Sequence, residues 1–197
     1  GRLADLGGKA VTLAGQGGHV LVVADPALAA LGITARAVES LAQAGFATSV
    51  YDALKGEPKQ SDIDSAAEMA REAKSSLIVG LGGGSALDTA KLVACCAVSG
   101  QSAAAYALCA TPLPSQPLPI IAVPTTAGTG AEVTRTCVVT AADGAKVWTW
   151  GDELRPQVVV LSPTGRHLDL MEQLMDAANA SGSLTTDVHI AALAIEH

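Results

Sequence analysis

The chain has 197 residues, 49% of them hydrophobic and 16% charged, which supplies a core for one generous domain or one domain and part of a second. Aromatic residues are only 3%, so Ala, Val, Leu and Gly fill the apolar quota, a composition suited to helices packed closely on a parallel sheet. A formal net charge of −7, with no basic stripe, disfavours nucleic acid and anionic membrane as partners and points to small molecules. Phosphate recognition in such a chain is expected from local backbone N–H groups.

The first firm element in chain order is His19–Ala24, HVLVVA, an apolar run ending at Asp25-Pro26 that reads as a buried parallel strand. Helical spacing of Ile33, Ala37, Leu41 and Ala44 follows and stops at Gly45. Ala47–Tyr51 is the second predicted strand. Ser61 and Asp64 form an S-x-x-D capping pattern ahead of a helix running to about Lys74. Leu77–Leu81 is the third strand, Gly82-Gly83-Gly84-Ser85 follows it directly, and Ala86–Val98 is a helix.

Thr111–Pro119 holds four of the nine prolines and reads as an extended connector. Ile120–Val123 is a fourth strand, leading into Pro124-Thr125-Thr126-Ala127-Gly128-Thr129-Gly130. Val133–Thr140 and Lys146–Thr149 flank Asp143-Gly144, a hairpin signal. Val158–Leu161 is a last buried strand, and from His167 the pattern is helical. Strand–helix alternation of this kind predicts an α/β fold, a doubly wound and mostly parallel sheet with a β-hairpin, over residues 1–165. Residues 166–197 read as the incomplete beginning of a helical domain.

Cys95, Cys96, Cys109 and Cys137 form no C-x-x-C pair and read as reduced thiols serving as small core hydrophobes, as in a cytoplasmic protein. No charged-then-apolar leader pattern opens the chain and no 18-residue apolar span interrupts it, so neither secretion nor membrane insertion is expected.

The strand–GGGS–helix arrangement carries the chemistry. A dinucleotide pyrophosphate needs backbone approach without Cβ atoms in the way, free N–H donors and a helix N-terminus, all of which Gly82, Gly83, Gly84 and Ser85 supply. The turn is neither G-x-G-x-x-G nor a P-loop, because the required G-K-[ST] is missing. Asp25, at the end of the first strand, has two readings. It is a turn residue of Asp-Pro, or a carboxylate that pairs with the adenosine ribose hydroxyls and repels a 2′-phosphate, favouring NAD over NADP.

GGGSALDTAK at 82–91 and VPTTAGTGAEVT at 123–134 together resemble the two amino-terminal motifs of the iron-containing (group III) alcohol dehydrogenases, within the dehydroquinate-synthase-like superfamily. VVADPAL at 22–28 and Lys146 followed by Leu154-Arg155-Pro156 extend the similarity over about residues 1–165. The resemblance implies an NAD-dependent oxidoreductase that interconverts an alcohol and an aldehyde or ketone by hydride transfer. It places Gly82, Gly83, Gly84 and Ser85 on the pyrophosphate, Thr125, Thr126 and Thr129 along the nicotinamide-side ribose and phosphate, and Lys146 at the ribose. It also places Asp88 and Lys91 near the cofactor, the alternative being an i, i+3 pair on the helix surface. Glu132 matches the family and is expected to brace its loop.

Members of the family are about twice this length, and a helical second domain supplies one Asp and three His that hold a divalent metal, iron or zinc. Aligning Ala194-Ile195-Glu196 with the family's first ligand helix puts His189 and Leu193 at the ligand positions, and leucine cannot ligate. Asp187 and His189, two residues apart, point away from each other on a helix, and Asp176 has no His four residues on. No metal ligand is therefore assigned; His167, Asp187, His189 and His197 read as surface or capping residues. Ser162-Pro163 also departs from the family's Asp-Pro.

The chain is accordingly expected to be the cofactor half of a longer enzyme, or else a non-catalytic nucleotide-binding module. A metal-independent reductase of the maleylacetate reductase type is a third form. A sugar-phosphate lyase or glycerol-phosphate dehydrogenase of the wider superfamily fits the PTTAGTG segment less well. Self-association into a homo-oligomer is expected, because a lone cofactor half exposes the face that closes the cleft.

Overall fold

The computed structural model describes residues 2–126, 128–161 and 167–178. Five strands, β1 (His19–Ala24), β2 (Ala47–Tyr51), β3 (Ser75–Gly82), β4 (Ile120–Pro124) and β7 (Val158–Val159), form one sheet in the order β2-β1-β3-β4-β7. Every pairing within it is parallel. The hairpin β5 (Thr136–Thr140) and β6 (Lys146–Trp150) stands apart as a second, antiparallel sheet of two strands. Gly144, at φ +86°, and the Asp143 carboxylate, accepting from the Ala145 N–H at 2.9 Å, make its turn.

Side chains alternate across the parallel sheet, as the two-residue period of a strand requires. Val20, Val22, Leu77, Val79 and Ile121 pack with Leu6 and Ala10 of α1 (Leu6–Ala14) and with Ala37 and Leu41 of α3 (Ile33–Gln43). Leu21, Val23, Ile78 and Ile120 pack on the other side with Ile63 and Ala66 of α4 (Gln60–Glu72) and Ala90, Val93 and Ala94 of α5 (Gly84–Ser99). Small residues let α5 lie close on β3: a Cβ on Gly80 would come within 2.9 Å of the Ala90 Cβ. A one-turn helix α2 (Ala27–Ala30) follows β1, and α6 (His167–Ala178) is the last described element. Among the described residues no single helix is long and apolar enough to cross a membrane.

Two local expectations are corrected, and one helix, α1, has no counterpart among the predicted elements. Helix α1 lies in a stretch where Gly7 and Gly8 suppress intrinsic helicity. Its close approach to α3 explains the glycine: a Cβ on Gly7 would sit 2.2 Å from the Ser40 carbonyl oxygen, and the Gly7 N–H donates to Ser40 Oγ at 3.0 Å. Gly7→Val is expected to cost about 3 kcal/mol through overpacking and loss of that bond, read as a lower midpoint in urea unfolding.

Helix α4 is not capped by Ser61 and Asp64. Lys59 is the N-cap, with its N–H donating to Asp62 Oδ2 at 3.3 Å, while Asp64 accepts from Ser102 Oγ (2.6 Å) and the Ala103 N–H (2.7 Å). That contact fixes a 3-10 segment, Ala103–Cys109, which sequence periodicity does not reveal. Finally, β5 starts at Thr136 rather than Val133, because the Val133 and Thr134 N–H groups both turn back to the Gly130 carbonyl.

The thiols divide. Cys95, Cys96 and Cys137 are buried, and burial pushes the first two up to about 12, so they behave as apolar fillers. Cys109 is exposed, against the core reading, because it closes the 3-10 segment with φ +59° and its Sγ lies 3.7 Å from the Trp150 carbonyl.

Candidate nucleotide-binding site

The strand order reverses between β1 and β3: the chain moves from β1 outward to β2, then returns to the other side of β1. In open α/β sheets the crevice at the carboxyl ends of two such strands is where ligands bind, since the connections diverge there and leave a gap. Asp25 ends β1 and Gly82 ends β3. The two touch directly: the Asp25 N–H donates to the Leu81 carbonyl at 2.9 Å, and a Cβ on Gly82 would lie 2.9 Å from the Asp25 Cβ. Gly82 also has φ +147°, which disfavours any side chain there.

Gly83 caps α5, whose first N–H groups have no partner one turn back and face the gap. Asp25, Gly83, Gly84 and Ser85 line a cleft of about 150 Å³ together with Leu54 and Gly56. Ser85 also lines a second cleft of about 190 Å³ with Asp88, Lys146 and Glu57. The turn thus sits where the two clefts meet. One oxygen of Asp25, Oδ1, accepts the Ala27 N–H at 2.9 Å, the local bond of an Asp-Pro turn. Its Oδ2 has no protein partner among the described residues, so turn-making leaves one acceptor unused on a residue that lines the cleft.

The Pro124–Gly130 segment lies against the same turn. Thr125 donates its N–H to the Gly82 carbonyl at 3.0 Å, and Thr126 Oγ1 would be 3.0 Å from a Cβ on Gly83. Thr129 Cγ2 stands 3.2 Å from the corresponding position on Gly84. Thr125, Thr126 and Thr129 are all exposed, and Thr129 Oγ1 accepts the Ala131 N–H at 3.4 Å. Both glycine-bearing segments therefore meet over one helix N-terminus.

Lys146, the first residue of β6, reaches across to Glu57, with Nζ 2.6 Å from Oε1. That ammonium holds the Glu57 carboxyl below its ordinary range. Glu57 escapes sequence reasoning: it lies in an irregular loop 89 positions from its partner.

Asp88 lines the cleft that Ser85 and Lys146 share, whereas Lys91 lies beneath it. Lys91 is wholly buried, its Nζ donating to Asp88 Oδ1 (3.3 Å), Thr134 Oγ1 (3.3 Å) and the Thr136 carbonyl (3.1 Å). A surface i, i+3 pair is thereby excluded, because the hairpin covers this face of α5. Asp88 Oδ2 accepts the Val138 N–H at 3.0 Å, so both carboxylate oxygens hold protein groups although the residue lines the second cleft. Desolvation dominates and raises the Asp88 pKa above its ordinary value, with Lys91 and the Val138 N–H pulling the other way. Glu132, expected as a brace, has its Oε2 enclosed without a donor among the described residues.

No group of three His, Cys, Asp or Glu that could hold a metal ion occurs among the described residues. Asp176 belongs to α6 and is exposed; Asp187, His189 and His197 lie outside the described residues, as does Ser162-Pro163.

A family model described as iron-containing alcohol dehydrogenase matches residues 1–163. The chain belongs to that family. Long-chain-alcohol dehydrogenase 1 of Geobacillus thermodenitrificans is 40% identical over 147 residues, covering 74% of this chain and 37% of that protein. A 4-hydroxybutyrate dehydrogenase of Cupriavidus necator is 34% identical over 146 residues, 73% of this chain and 38% of its own length. Among solved structures, sulfoacetaldehyde reductase from Bifidobacterium kashiwanohense in complex with NAD+ superposes with a TM-score of 0.76 at 30% identity, over 83% of this chain and 43% of that one. This iron-containing alcohol dehydrogenase family chain thus spans well under half the length of the curated relatives it matches.

Proposed function

We propose that this chain is the cofactor-binding part of an NAD-dependent oxidoreductase that interconverts an alcohol and an aldehyde or ketone by hydride transfer. One observation carries the reading. Asp25, with one carboxylate oxygen not used by the protein, and the Gly83–Ser85 helix start line a single cleft at the strand-order reversal, which pairs a ribose acceptor with a pyrophosphate-binding helix end. The sulfoacetaldehyde reductase solved with NAD+ supports the choice of ligand.

In this reading Gly82, Gly83, Gly84 and Ser85 hold the pyrophosphate. Thr125, Thr126 and Thr129 flank the nicotinamide-side ribose and its phosphate, and Lys146 donates to that ribose. Asp88 sits beneath it. A bound nicotinamide would supply or accept the hydride, and Thr125, Thr126, Thr129 and Lys146 would orient its ribose. The divalent metal of the family, iron or zinc, finds no donor set among the described residues, so no step is assigned through it.

Residues 1–165 would form the dinucleotide domain and 166–197 the start of a helical one. Homo-oligomerisation belongs to the same reading, supported by Val138, Trp148 and Trp150, all exposed on the hairpin. A cytoplasmic location is supported by four free cysteines.

Asp25→Gly is expected to relax the preference for NADH over NADPH by about tenfold, the scale of one charge contact. Asp25→Asn keeps an acceptor for the Ala27 N–H while removing the charge, and should relax it in the same direction. Competition binding of the two nucleotides measures both. Unaltered selectivity in the two variants would remove Asp25 from the ribose site.

A further inference from the structure

We infer that the buried Asp88–Lys91 pair is a positioning device that sets Lys146 against the pyrophosphate turn, and so governs recognition of the second ribose of the dinucleotide. The inference rests on the proposed cofactor reading. It starts from a costly feature: an ammonium with no solvent contact, satisfied by Asp88, Thr134 and the Thr136 carbonyl. Each partner leads to a piece of the site.

Asp88 lies one helical turn after Ser85 on α5 and holds the Val138 N–H, which fixes β5 to that helix. β5 is in register with β6, Val138 opposite Trp148 and Thr140 opposite Lys146. Thr134 donates its N–H to the Gly130 carbonyl at 3.0 Å, one residue beyond the threonine that leans on Gly84. The pair thus ties three things to one stretch of helix: the Gly-rich turn, the Thr125–Thr129 segment and the strand that begins with Lys146. Among the described residues the hydrogen bonds of Asp25 run to Leu81, Ala27 and Leu28, none of which bonds to Asp88 or Lys91.

An asymmetry follows. ADP has only the adenosine ribose and the pyrophosphate, whereas ADP-ribose adds the second ribose and nothing else. Isothermal titration of the 197-residue chain with each should show ADP-ribose binding more tightly than ADP. In Lys91→Met, the affinity for ADP-ribose is expected to fall about tenfold while that for ADP stays within about twofold, as for one charge-assisted contact. Lys146→Met should give the same split.

The double variant should be no worse than either single one, because the two residues act on one contact. Thr134→Val removes one acceptor at an exposed position and should lower ADP-ribose affinity about threefold, so the question stays answerable if Lys91→Met does not fold. Equal losses for ADP and ADP-ribose, or additive losses in the double variant, would overturn the inference and leave the pair a fold-stabilising element. ADP-ribose binding no tighter than ADP in the parent chain would also overturn it. Failure of the parent to bind either would reject the cofactor reading itself.

Discussion

Gly83→Val is expected to abolish NADH binding while leaving the fold in place. Gly83 has φ −78° and ψ −173°, extended backbone in which valine is comfortable. The nearest atom to its added Cβ is Thr126 Oγ1 at 3.0 Å, on an exposed side chain that can turn away. The isopropyl group then fills the space above the α5 N-terminus that a pyrophosphate needs, and its N–H donors become unreachable. A loss of at least about a hundredfold in affinity is expected, or roughly 2.7 kcal/mol. The thermal midpoint should move by no more than about 3 °C, the shift of about 1 kcal/mol in a chain of this size.

Gly82→Val makes the contrast. There φ is +147° and the new Cβ would meet both Asp25 and Ala86 at 2.9 Å, so folding itself should suffer. A Gly83→Val protein that is folded and still binds NADH tightly would show that the turn is only a tight strand–helix connection.

Lys91→Met should be the most destabilising single change outside the central core, costing about 3–5 kcal/mol at neutral pH. The methionine fills the volume but leaves the Asp88 carboxylate, its side chain only 14% exposed, with the Val138 N–H as its single remaining donor. Burial already raises the Asp88 pKa, and Lys91 is the main opposing influence. With a folded pKa above the unfolded one, the native state holds more protons than the unfolded state between the two values, so stability falls as pH rises through that window.

Removing Lys91 widens the window upward. The deficit of Lys91→Met should therefore be largest near pH 7 and shrink on acidification, as the orphaned carboxyl takes up its proton above the ordinary carboxylate range; about pH 4 serves as the acid comparison. Chemical unfolding of parent and variant at the two pH values measures it. Adding Asp88→Asn should recover part of the loss, because the neutral amide still accepts from Val138. A deficit that grows on acidification would contradict the assignment.

The elements that sequence made legible share one physical property: their signal is local. β1, β3 and β4 are short apolar runs because both faces of a parallel sheet are covered, and Gly82–Ser85 announces itself because close backbone approach excludes side chains. What escaped depends on partners far along the chain. Gly7 of helix α1 is accounted for by the close approach of the Ser40 carbonyl, 33 positions away. The cap of α4 shifted because Asp64 is claimed by Ser102 and Ala103.

Lys91 read as near the cofactor or on the helix surface, since an i, i+3 pair gives no hint of a hairpin folded over it. Its burial excludes the surface reading: it bonds to Asp88, Thr134 and the Thr136 carbonyl beneath the hairpin. Glu57 was invisible for the same reason as Ser40: its partner is distant in sequence. The turn reading of Asp25 is observed in the bond from the Ala27 N–H to Oδ1, and it leaves the other oxygen without a protein partner among the described residues.

Asp25 and the Gly82–Ser85 turn are proposed as a site for NAD. A fluorescence titration of the chain with NADH and, separately, NADPH tests it most directly. Saturable NADH binding is expected, with NADPH at least about tenfold weaker because its 2′-phosphate meets the Asp25 carboxylate. Binding of neither nucleotide, or tighter binding of NADPH, would contradict it.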